Sequence, residues 1–248
     1  MANSTDFLLA LEGVTVSFDG FKAVNDLNLY IGKDELRVII GPNGAGKTTV
    51  LDLICGRTQV SSGSIKFKDQ EITGLKEQEI VRRGIGRKFQ TPSIYEDLTV
   101  FENLEISVPR GRTVAGALFW KRTNEVIDRV HEIARLIFLD SQIDRLAETL
   151  SHGQKQWLEI GMLLIQDPEL LMLDEPVAGM SVSERTRTAE LLAQVSNGRA
   201  VIVIEHDMKF VESIADRVTV LHQGKVLAEG SMATIQDNPQ VKEVYLGH

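Results

Sequence analysis

Three hydrophobic patterns divide this chain into regions. Apolar and polar residues alternate over residues 7 to 35, and this period predicts half-buried antiparallel strands. Largely apolar runs at 36 to 40, 170 to 173 and 200 to 204 are typical of strands covered on both faces. From about 91 to 150, charged sequence with apolar residues at spacings of three and four predicts a helical region. The chain therefore combines a parallel sheet, antiparallel strands and a helical lobe.

Turn and cap residues set the bounds of shorter elements. Serine and glycine at 62 to 64 precede a short expected strand at 65 to 67. A helix is expected around 76 to 83, with Gly84 as its end. Helical periodicity also runs over 155 to 164, and no internal repeat or low-complexity segment interrupts these elements.

Length and charge narrow the classes of function. A chain of 248 residues buries a sizeable core, and its net charge of -8 argues against a general binder of nucleic-acid phosphates. No apolar stretch reaches the ~20 residues that span a bilayer, and the start of the chain lacks signal-peptide features. We therefore expect a cytoplasmic protein. Its single cysteine, Cys55, forms no internal disulfide and is interpreted as a small core residue.

A glycine-rich loop follows the first apolar run. Residues 41 to 48 read Gly-Pro-Asn-Gly-Ala-Gly-Lys-Thr, the Walker A pattern that cradles nucleotide phosphates. Glycines let backbone N–H groups point at a polyanion, Lys47 adds a positive charge, and Thr48 offers a hydroxyl to magnesium. An ordinary glycine-rich turn would leave the Lys-Thr-Thr ending unexplained. The candidate nucleotide-binding residues are Asn43, Gly44, Ala45, Gly46, Lys47, Thr48 and Thr49.

Two adjacent acids, Asp174 and Glu175, end the second apolar run. Open parallel sheets place their ligand crevice at the carboxyl ends of the strands. Because side chains alternate along an extended segment, Asp174 is expected to reach magnesium through water while Glu175 addresses an attacking water.

The sequence Leu-Ser-His-Gly-Gln at 150 to 154 precedes the helical pattern at 155 to 164. Ser151 and Gln154 have the spacing of a capping box, so a well-capped helix start is one interpretation. Gly153 favours a second one, because its missing side chain would let a phosphate approach the exposed N–H groups. Both interpretations stay open on these residues alone.

The order and spacing of these motifs resemble those of ATP-binding-cassette (ABC) ATPases across nearly the whole chain. The resemblance implies an α/β P-loop NTPase fold with a mostly parallel core sheet, an antiparallel β subdomain and an inserted α-helical subdomain. It places a single domain at 7–248, in which 7–90 and 160–248 form the catalytic core and 91–159 form the helical signature subdomain.

The resemblance also assigns roles to three further residues. Gln90 matches the glutamine that contacts magnesium and water, and His206 matches the histidine that contacts the terminal phosphate. Phe18 lies where an aromatic ring stacks on adenine, although Phe21 competes for that role. Without the family, His206 could be a helix cap and Phe18 a core aromatic.

In this family the signature sequence of one subunit closes over nucleotide held by its partner. The resemblance therefore implies ATP or ADP with Mg²⁺, and a head-to-tail dimer with a second copy or a related ABC ATPase. Ser151, Gly153 and Gln154 would come from the partner protomer. Separate permease subunits would dock near residues 90 to 110, on the inner face of the membrane, and a periplasmic or extracellular solute-binding protein would take part indirectly.

Two segments, 89 to 104 and 241 to 247, resemble ATPases of branched-chain amino acid importers. The signature sequence at 150 to 160, together with Pro-Val-Ala-Gly-Met-Ser at 176 to 181, looks most like an ATPase subunit of urea importers in that group. We therefore expect an ATP hydrolase that powers urea import. Importers of branched-chain amino acids or short-chain amides, and ABC ATPases without a transport role, are the alternatives.

Two positions depart from the usual family pattern. His152 replaces a glycine of the signature, and Ser181 stands where many relatives have aspartate. His152 is interpreted either as a solvent-facing substitution or as a source of pH sensitivity in dimer closure. Neither change removes an essential phosphate contact.

Overall fold

The computed structural model describes residues 7–88, 94–109 and 122–246, with side chains to residue 244. The chain divides into two units. The first comprises Met1–Arg87, Glu169–Pro176 and Leu192–His248, and the second comprises Lys88–Pro168 and Val177–Leu191.

A six-stranded sheet carries the three apolar runs. Its spatial order is β10-β9-β3-β8-β7-β6, and β3 pairs in parallel with both β8 and β9, while β7 pairs in parallel with β8. Every residue of β3, β7 and β8 is buried, which confirms the prediction of strands covered on both faces. Among the described pairs of this six-stranded sheet, only β9 and β10 run antiparallel. The strands are β3 (Leu36–Ile40), β6 (Ile85–Lys88), β7 (Leu170–Asp174), β8 (Ala200–Ile204), β9 (Arg217–His222) and β10 (Lys225–Gly230).

The alternating region forms the antiparallel sheet that its period predicts. This sheet has the order β2-β1-β4-β5, with β1 paired antiparallel to β2 and β4. Its apolar face packs into the same core cluster as the apolar strands, including Leu9, Leu11 and Leu29. The strands are β1 (Phe7–Phe18), β2 (Phe21–Gly32), β4 (Ser62–Phe67) and β5 (Gln70–Glu71).

The first unit contains five of the described helices, of which α1 follows β3 and α7 follows β8 of the large sheet. The expected helix before Gly84 is present, and Gly84 has a φ of 97°, as a helix-ending glycine does. Cys55 is 3 % exposed and accordingly belongs to the core. These helices are α1 (Lys47–Ile54), α2 (Glu77–Arg82), α7 (Met208–Ile214), α8 (Met232–Asp237) and α9 (Pro239–Leu246).

The second unit contains the predicted helical region. Helices α3 (Val100–Ser107), α4 (Asn124–Leu136) and α5 (His152–Leu164) pack on one another. Helix α6 (Val182–Ser196) belongs to this unit as far as Leu191. Gly161 permits this packing, because a Cβ there would lie 2.6 Å from Ile137 Cδ1. None of the helices in the described ranges has both the length and the apolar character needed to cross a membrane.

One charged residue lies at the centre of the large sheet. Arg37 on β3 is fully buried, and its guanidinium group contacts four polar partners. It donates to the Tyr30 carbonyl oxygen at 3.0 Å and to the Thr219 hydroxyl at 2.7 Å. It also pairs with Glu35 at 2.6 Å and with Glu229 on β10 at 2.8 Å. Such a set of partners is what makes a buried charge tolerable.

Candidate functional site

The loop between β3 and α1 has a backbone that requires glycine at two positions. Gly46 has a φ of 99°, and a Cβ there would lie 2.5 Å from the Ala23 carbonyl oxygen. A Cβ on Gly41 would lie 2.2 Å from the Leu221 carbonyl oxygen. Gly44, in contrast, is exposed with open space beside it. The loop is therefore held against backbone on one side and leaves its other side open to a ligand.

The turn between β9 and β10 supports this loop. The Gly224 N–H group donates to the Ala45 carbonyl oxygen at 3.0 Å, and the Gly224 carbonyl oxygen accepts from the Asn25 N–H group at 2.9 Å. A Cβ on Gly224 would lie 2.7 Å from the Ala23 carbonyl oxygen. Sequence reasoning missed this support, although a glycine in a short loop between two apolar segments favours a tight hairpin turn.

The Lys47 ammonium group lies over the start of the loop. It donates to the carbonyl oxygens of Gly41 at 2.7 Å and Pro42 at 3.0 Å. Burial lowers the pKa of Lys47, and the carboxylates of Glu175 and Asp174 act in the opposite direction. A half-buried cation held on two neutral carbonyl groups gains from the arrival of an anion, so the geometry suits phosphate.

Two oxygen groups suited to magnesium meet beside the loop. The Thr48 hydroxyl donates to Asp174 Oδ2 at 3.3 Å, and Asp174 is 2 % exposed at the end of β7. Arg87 Nη2 lies 4.0 Å from the same Asp174 oxygen, and Arg87 Nη1 pairs with Asp52 at 2.6 Å. Mg²⁺ commonly uses one or two protein oxygens and takes its remaining ligands from phosphate and water. The donor pair fits that ion.

No cluster of three or more His, Cys, Asp and Glu residues arranged to hold a metal occurs in the described ranges. A magnesium ion at Thr48 and Asp174 would therefore depend on nucleotide oxygens for much of its coordination. Gln90, which the family resemblance adds to this site, lies outside the described residues.

Glu175 leaves the strand direction abruptly. The expectation of simple side-chain alternation is wrong here, because β7 ends at Asp174 and Glu175 has a left-handed φ of 48°. Its N–H group donates to the Ile204 carbonyl oxygen at 3.0 Å. A non-glycine residue in this conformation stores strain, a feature that clusters at functional sites. The Asp174 carboxylate is buried and the Glu175 carboxylate is half-exposed. Their different directions come from the left-handed backbone at Glu175 and not from the alternation of side chains along a strand.

His206 follows β8 and faces Glu175. Its Nδ1 atom lies 3.6 Å from Glu175 Oε1, and its side chain is 71 % exposed. The buried Glu205 carboxylate accepts from the His206 N–H group at 2.9 Å and orients the backbone at this point. The helix-cap interpretation of His206 is wrong, because Asp207 caps α7 by accepting from the N–H groups of Lys209 and Phe210.

The aromatic residues at the β1–β2 turn are exposed. Phe18 is 51 % exposed and Phe21 is 67 % exposed, so the interpretation of Phe18 as a core aromatic is wrong. Both rings are available to a ligand. Adenine stacking on Phe18 stays a prediction.

The signature segment begins α5 with the predicted capping box. The Ser151 hydroxyl oxygen accepts from the Gln154 N–H group at 3.2 Å, and Gln154 Oε1 accepts from the Ser151 N–H group at 2.9 Å. Sequence reasoning missed a third participant. The Ser151 hydroxyl donates to Glu184 Oε1 at 3.0 Å, and a Cβ on Gly153 would lie 2.4 Å from that same oxygen.

His152 is exposed but not free. Its Nε2 atom lies 3.1 Å from the Ala178 carbonyl oxygen, which requires the imidazole to donate. Gly179 has a φ of 72°, and a Cβ there would lie 3.2 Å from His152 Cδ2. The imidazole therefore joins the first turn of α5 to the segment that follows Pro176. Because both the neutral and the charged ring can donate, this bond does not need a positive charge.

Known protein sequences and solved structures are similar to this chain along almost its whole length. The family described as "ABC transporter" matches residues 24–178, and the family described as "Branched-chain amino acid ATP-binding cassette transporter" matches residues 225–248. The high-affinity branched-chain amino acid transport ATP-binding protein LivG of Escherichia coli K12 is 38 % identical over 97 % of this chain and 98 % of its own length.

Two solved structures are similar as well. An ATP-binding cassette of an ABC transporter in its ADP conformation has a TM-score of 0.85 and 31 % identity, and the match covers 98 % of this chain and 99 % of the other. A dimeric, post-hydrolysis cassette bound to ADP and Pi has a TM-score of 0.76 and 25 % identity, and the match covers 90 % and 98 % of the two chains. The expected α/β P-loop fold is thereby confirmed.

Proposed function

The chain belongs to the ABC transporter family, as an ATP-hydrolysing subunit of the branched-chain amino acid import type, and we propose that it powers uptake of a small polar or amino acid solute. One observation carries the proposal. The phosphate loop, the Asp174–Glu175 pair and His206 follow β3, β7 and β8, which run in parallel at the centre of one sheet. Parallel neighbours bring these groups to the same edge.

Each group at this edge has a proposed task. The loop N–H groups and Lys47 bind the phosphates of ATP. Thr48, Asp174 and Gln90 would hold a magnesium ion, which would supply positive charge to neutralise those phosphates. Glu175 accepts a proton from the attacking water. His206 contacts the terminal phosphate, and Phe18 stacks on adenine.

The first turn of α5 completes the site of a partner protomer in this proposal. Ser151, Gly153 and Gln154 would reach the terminal phosphate of nucleotide bound to the partner's loop. The dimeric relative bound to ADP and Pi supports a dimer, formed either by two copies of this chain or with a related ATPase. Since hydrolysis removes the terminal phosphate, the dimer loosens after each cycle.

The remaining parts of the proposal concern the membrane complex. Residues 91–159 act as the helical subdomain, and the surface after Gln90, near 90 to 110, contacts permease subunits on the cytoplasmic side. A solute-binding protein delivers cargo to those permeases. This chain does not itself contact the cargo.

Two cargo classes are proposed, each on its own observation. Branched-chain amino acids are the better supported, because the Escherichia coli relative that matches 97 % of the chain is named for their transport. Urea, the expectation from the sequence, rests on the signature sequence at 150 to 160 and on the segment 176 to 181.

Uptake of labelled leucine and labelled urea separates the two classes. Cells that carry Glu175→Gln in place of the native chain are compared with unaltered cells and with cells that carry Glu212→Gln, a change at an exposed position of α7. We expect loss of leucine uptake with urea uptake intact. Loss of urea uptake alone would assign the chain to urea import. Normal uptake of both would contradict the proposed cargo classes.

A further inference from the structure

The Ser151 hydroxyl has one hydrogen, and a protein group already receives it. That hydrogen is donated to Glu184 Oε1 at 3.0 Å, while the hydroxyl oxygen accepts from the Gln154 N–H group. A serine hydroxyl has a single donor hydrogen. If Ser151 is to donate to a phosphate, it must first release Glu184.

The Glu184 carboxylate also lies against the backbone of the first turn. A Cβ on Gly153 would be only 2.4 Å from its Oε1 atom. The first N–H groups of a helix lack intrahelical acceptors, which is why anions are attracted there. A phosphate that approached α5 would thus meet a negative group beside Gly153. Glu184 competes with phosphate both for the Ser151 hydrogen and through like charge.

A second set of contacts holds Glu184 in place. Its Oε2 atom accepts from the Ser181 N–H group at 2.9 Å and from the Ser181 hydroxyl at 2.8 Å. The Glu184 N–H group in turn donates to the Ser181 hydroxyl oxygen at 3.3 Å, so the pair caps the start of α6. The Ser181 N–H group is the main reason that the pKa of Glu184 is lowered, and the carboxylate is charged at neutral pH.

These two sets of contacts allow a switch without loss of structure. When Ser151 turns away, the Ser181 groups still satisfy Glu184 and keep it near α6. Ser181 has a function in this arrangement that aspartate could not perform, because an ionised aspartate side chain has no hydrogen to donate. The departure from the usual family residue therefore has a structural reason.

We propose that Glu184 is a positioning residue that keeps the Ser151 hydroxyl hydrogen-bonded to itself. The terminal phosphate of ATP on a partner protomer then replaces Glu184 as the acceptor of that hydrogen. The proposal rests on the proposed composite ATP site. In an isolated chain Glu184 accepts the Ser151 hydrogen, and in the closed dimer the phosphate accepts it. ADP has no terminal phosphate to take that hydrogen, so Glu184 makes closure selective for ATP.

The test measures dimerisation of the full chain by sedimentation velocity, once with ATP and Mg²⁺ and once with ADP and Mg²⁺. Every protein in the test carries Glu175→Gln, so that ATP is not consumed. Glu184→Gln keeps the size of the side chain but removes its charge. We expect the ATP dimer to form about tenfold more tightly, which corresponds to ~1.4 kcal/mol. Closure by ADP should also increase, so that the ratio of ATP to ADP dimer affinities falls.

Two further variants separate this role from a general structural one. Glu190→Gln removes an exposed charge from the same helix and should leave the dimer affinity unchanged. Adding Ser151→Ala to Glu184→Gln removes the contested hydrogen, so the gain from Glu184→Gln should shrink to about threefold or less. Glu184→Asp, which is too short to bridge Ser151 and Ser181 together, gives an independent variant if Glu184→Gln folds poorly, and should also tighten the ATP dimer.

The possible failures are distinguishable. Glu184→Gln and Glu184→Asp dimers no tighter than the parent, in chains with unchanged circular dichroism, would overturn the role of Glu184 alone. A parent chain that binds ATP by calorimetry yet stays monomeric would overturn the proposed dimer of two copies of this chain, and this inference with it.

Discussion

The phosphate loop and the start of α5 are the two proposed anion sites at helix starts, but backbone contacts hold the first and side-chain contacts hold the second. Backbone contacts fix the loop, where Gly46 and Gly41 approach the carbonyl groups of Ala23 and Leu221. Side chains fix the start of α5, where Ser151 contacts both Gln154 and Glu184. Backbone contacts give a preformed site, whereas side-chain contacts can be exchanged. Under the proposed function, this difference means that the loop would bind nucleotide in a single chain and that α5 would engage it only in a dimer.

The largest expected effect is on the rate of ATP hydrolysis, and it distinguishes catalysis by Glu175 from nucleotide binding by the phosphate loop. Glu175→Gln should lower kcat by about 10² to 10⁴, because a general base contributes that much. ATP binding should persist, since Lys47 and the loop backbone are unchanged. Phosphate release measures the first quantity and calorimetry the second. Turnover at the native rate would refute the assignment of Glu175 as the base.

The next effect tests whether the phosphate loop alone, or the loop together with the start of α5, sets the affinity of the isolated chain for ATP. Lys47→Ala should weaken ATP binding to the isolated chain by about 1.5–3 kcal/mol, the contribution of a charge-assisted hydrogen bond. Ser151→Arg should leave that affinity unchanged and abolish only the ATP dimer. Calorimetry on dilute protein compares the two variants. Equal losses of affinity would remove the distinction drawn between the regions.

The smallest expected effect is on the free energy of unfolding, which reports how firmly each of the two regions is held. Gly46→Ala should lower the free energy of unfolding by about 1–3 kcal/mol, because its Cβ meets a backbone carbonyl at a positive φ. Gly153→Ala should change it by less than about 1 kcal/mol, since the Glu184 side chain can move from the added Cβ by giving up its contact with Ser151, and alanine favours a helix.

Urea denaturation provides the measurement, and Gly44→Ala is the matched control. Gly44 has a φ of 79° but open space beside it, so its replacement introduces strain without a clash. Its loss of stability should lie between the other two. If Gly153→Ala proves as damaging as Gly46→Ala, the start of α5 is as rigid as the loop.

Much of the fold follows from local pattern. The strands β3, β7 and β8 are evident in the sequence because burial on both faces leaves nearly continuous apolar runs. Strand β6 was not predicted, because it contains the charged residues Arg87 and Lys88. Both are buried through tertiary ion pairs, with Asp52 and with Glu159. A sequence pattern does not reveal such pairing.

The candidate site likewise has parts that local sequence predicts and parts that depend on tertiary contacts. The glycine-rich loop and the acids after β7 are recognisable because each motif is contiguous in sequence. The contact between Ser151 and Glu184 joins residues 33 positions apart, and the support of Ala45 by Gly224 is also tertiary. Neither follows from residue type alone. The left-handed φ of Glu175 likewise depends on its bond to Ile204 across the sheet.

Arg37 has a consequence for how this chain reaches its native pairing. Its partners lie on four separate segments, from Tyr30 through Glu35 to Thr219 and Glu229. A slip of β10 by one residue would turn Glu229 to the opposite face and leave a buried guanidinium group without that partner. Because Arg37 is buried, the loss of one of its two carboxylate partners costs free energy, so misaligned sheets are disfavoured during folding. The residue thus acts as a check on strand register.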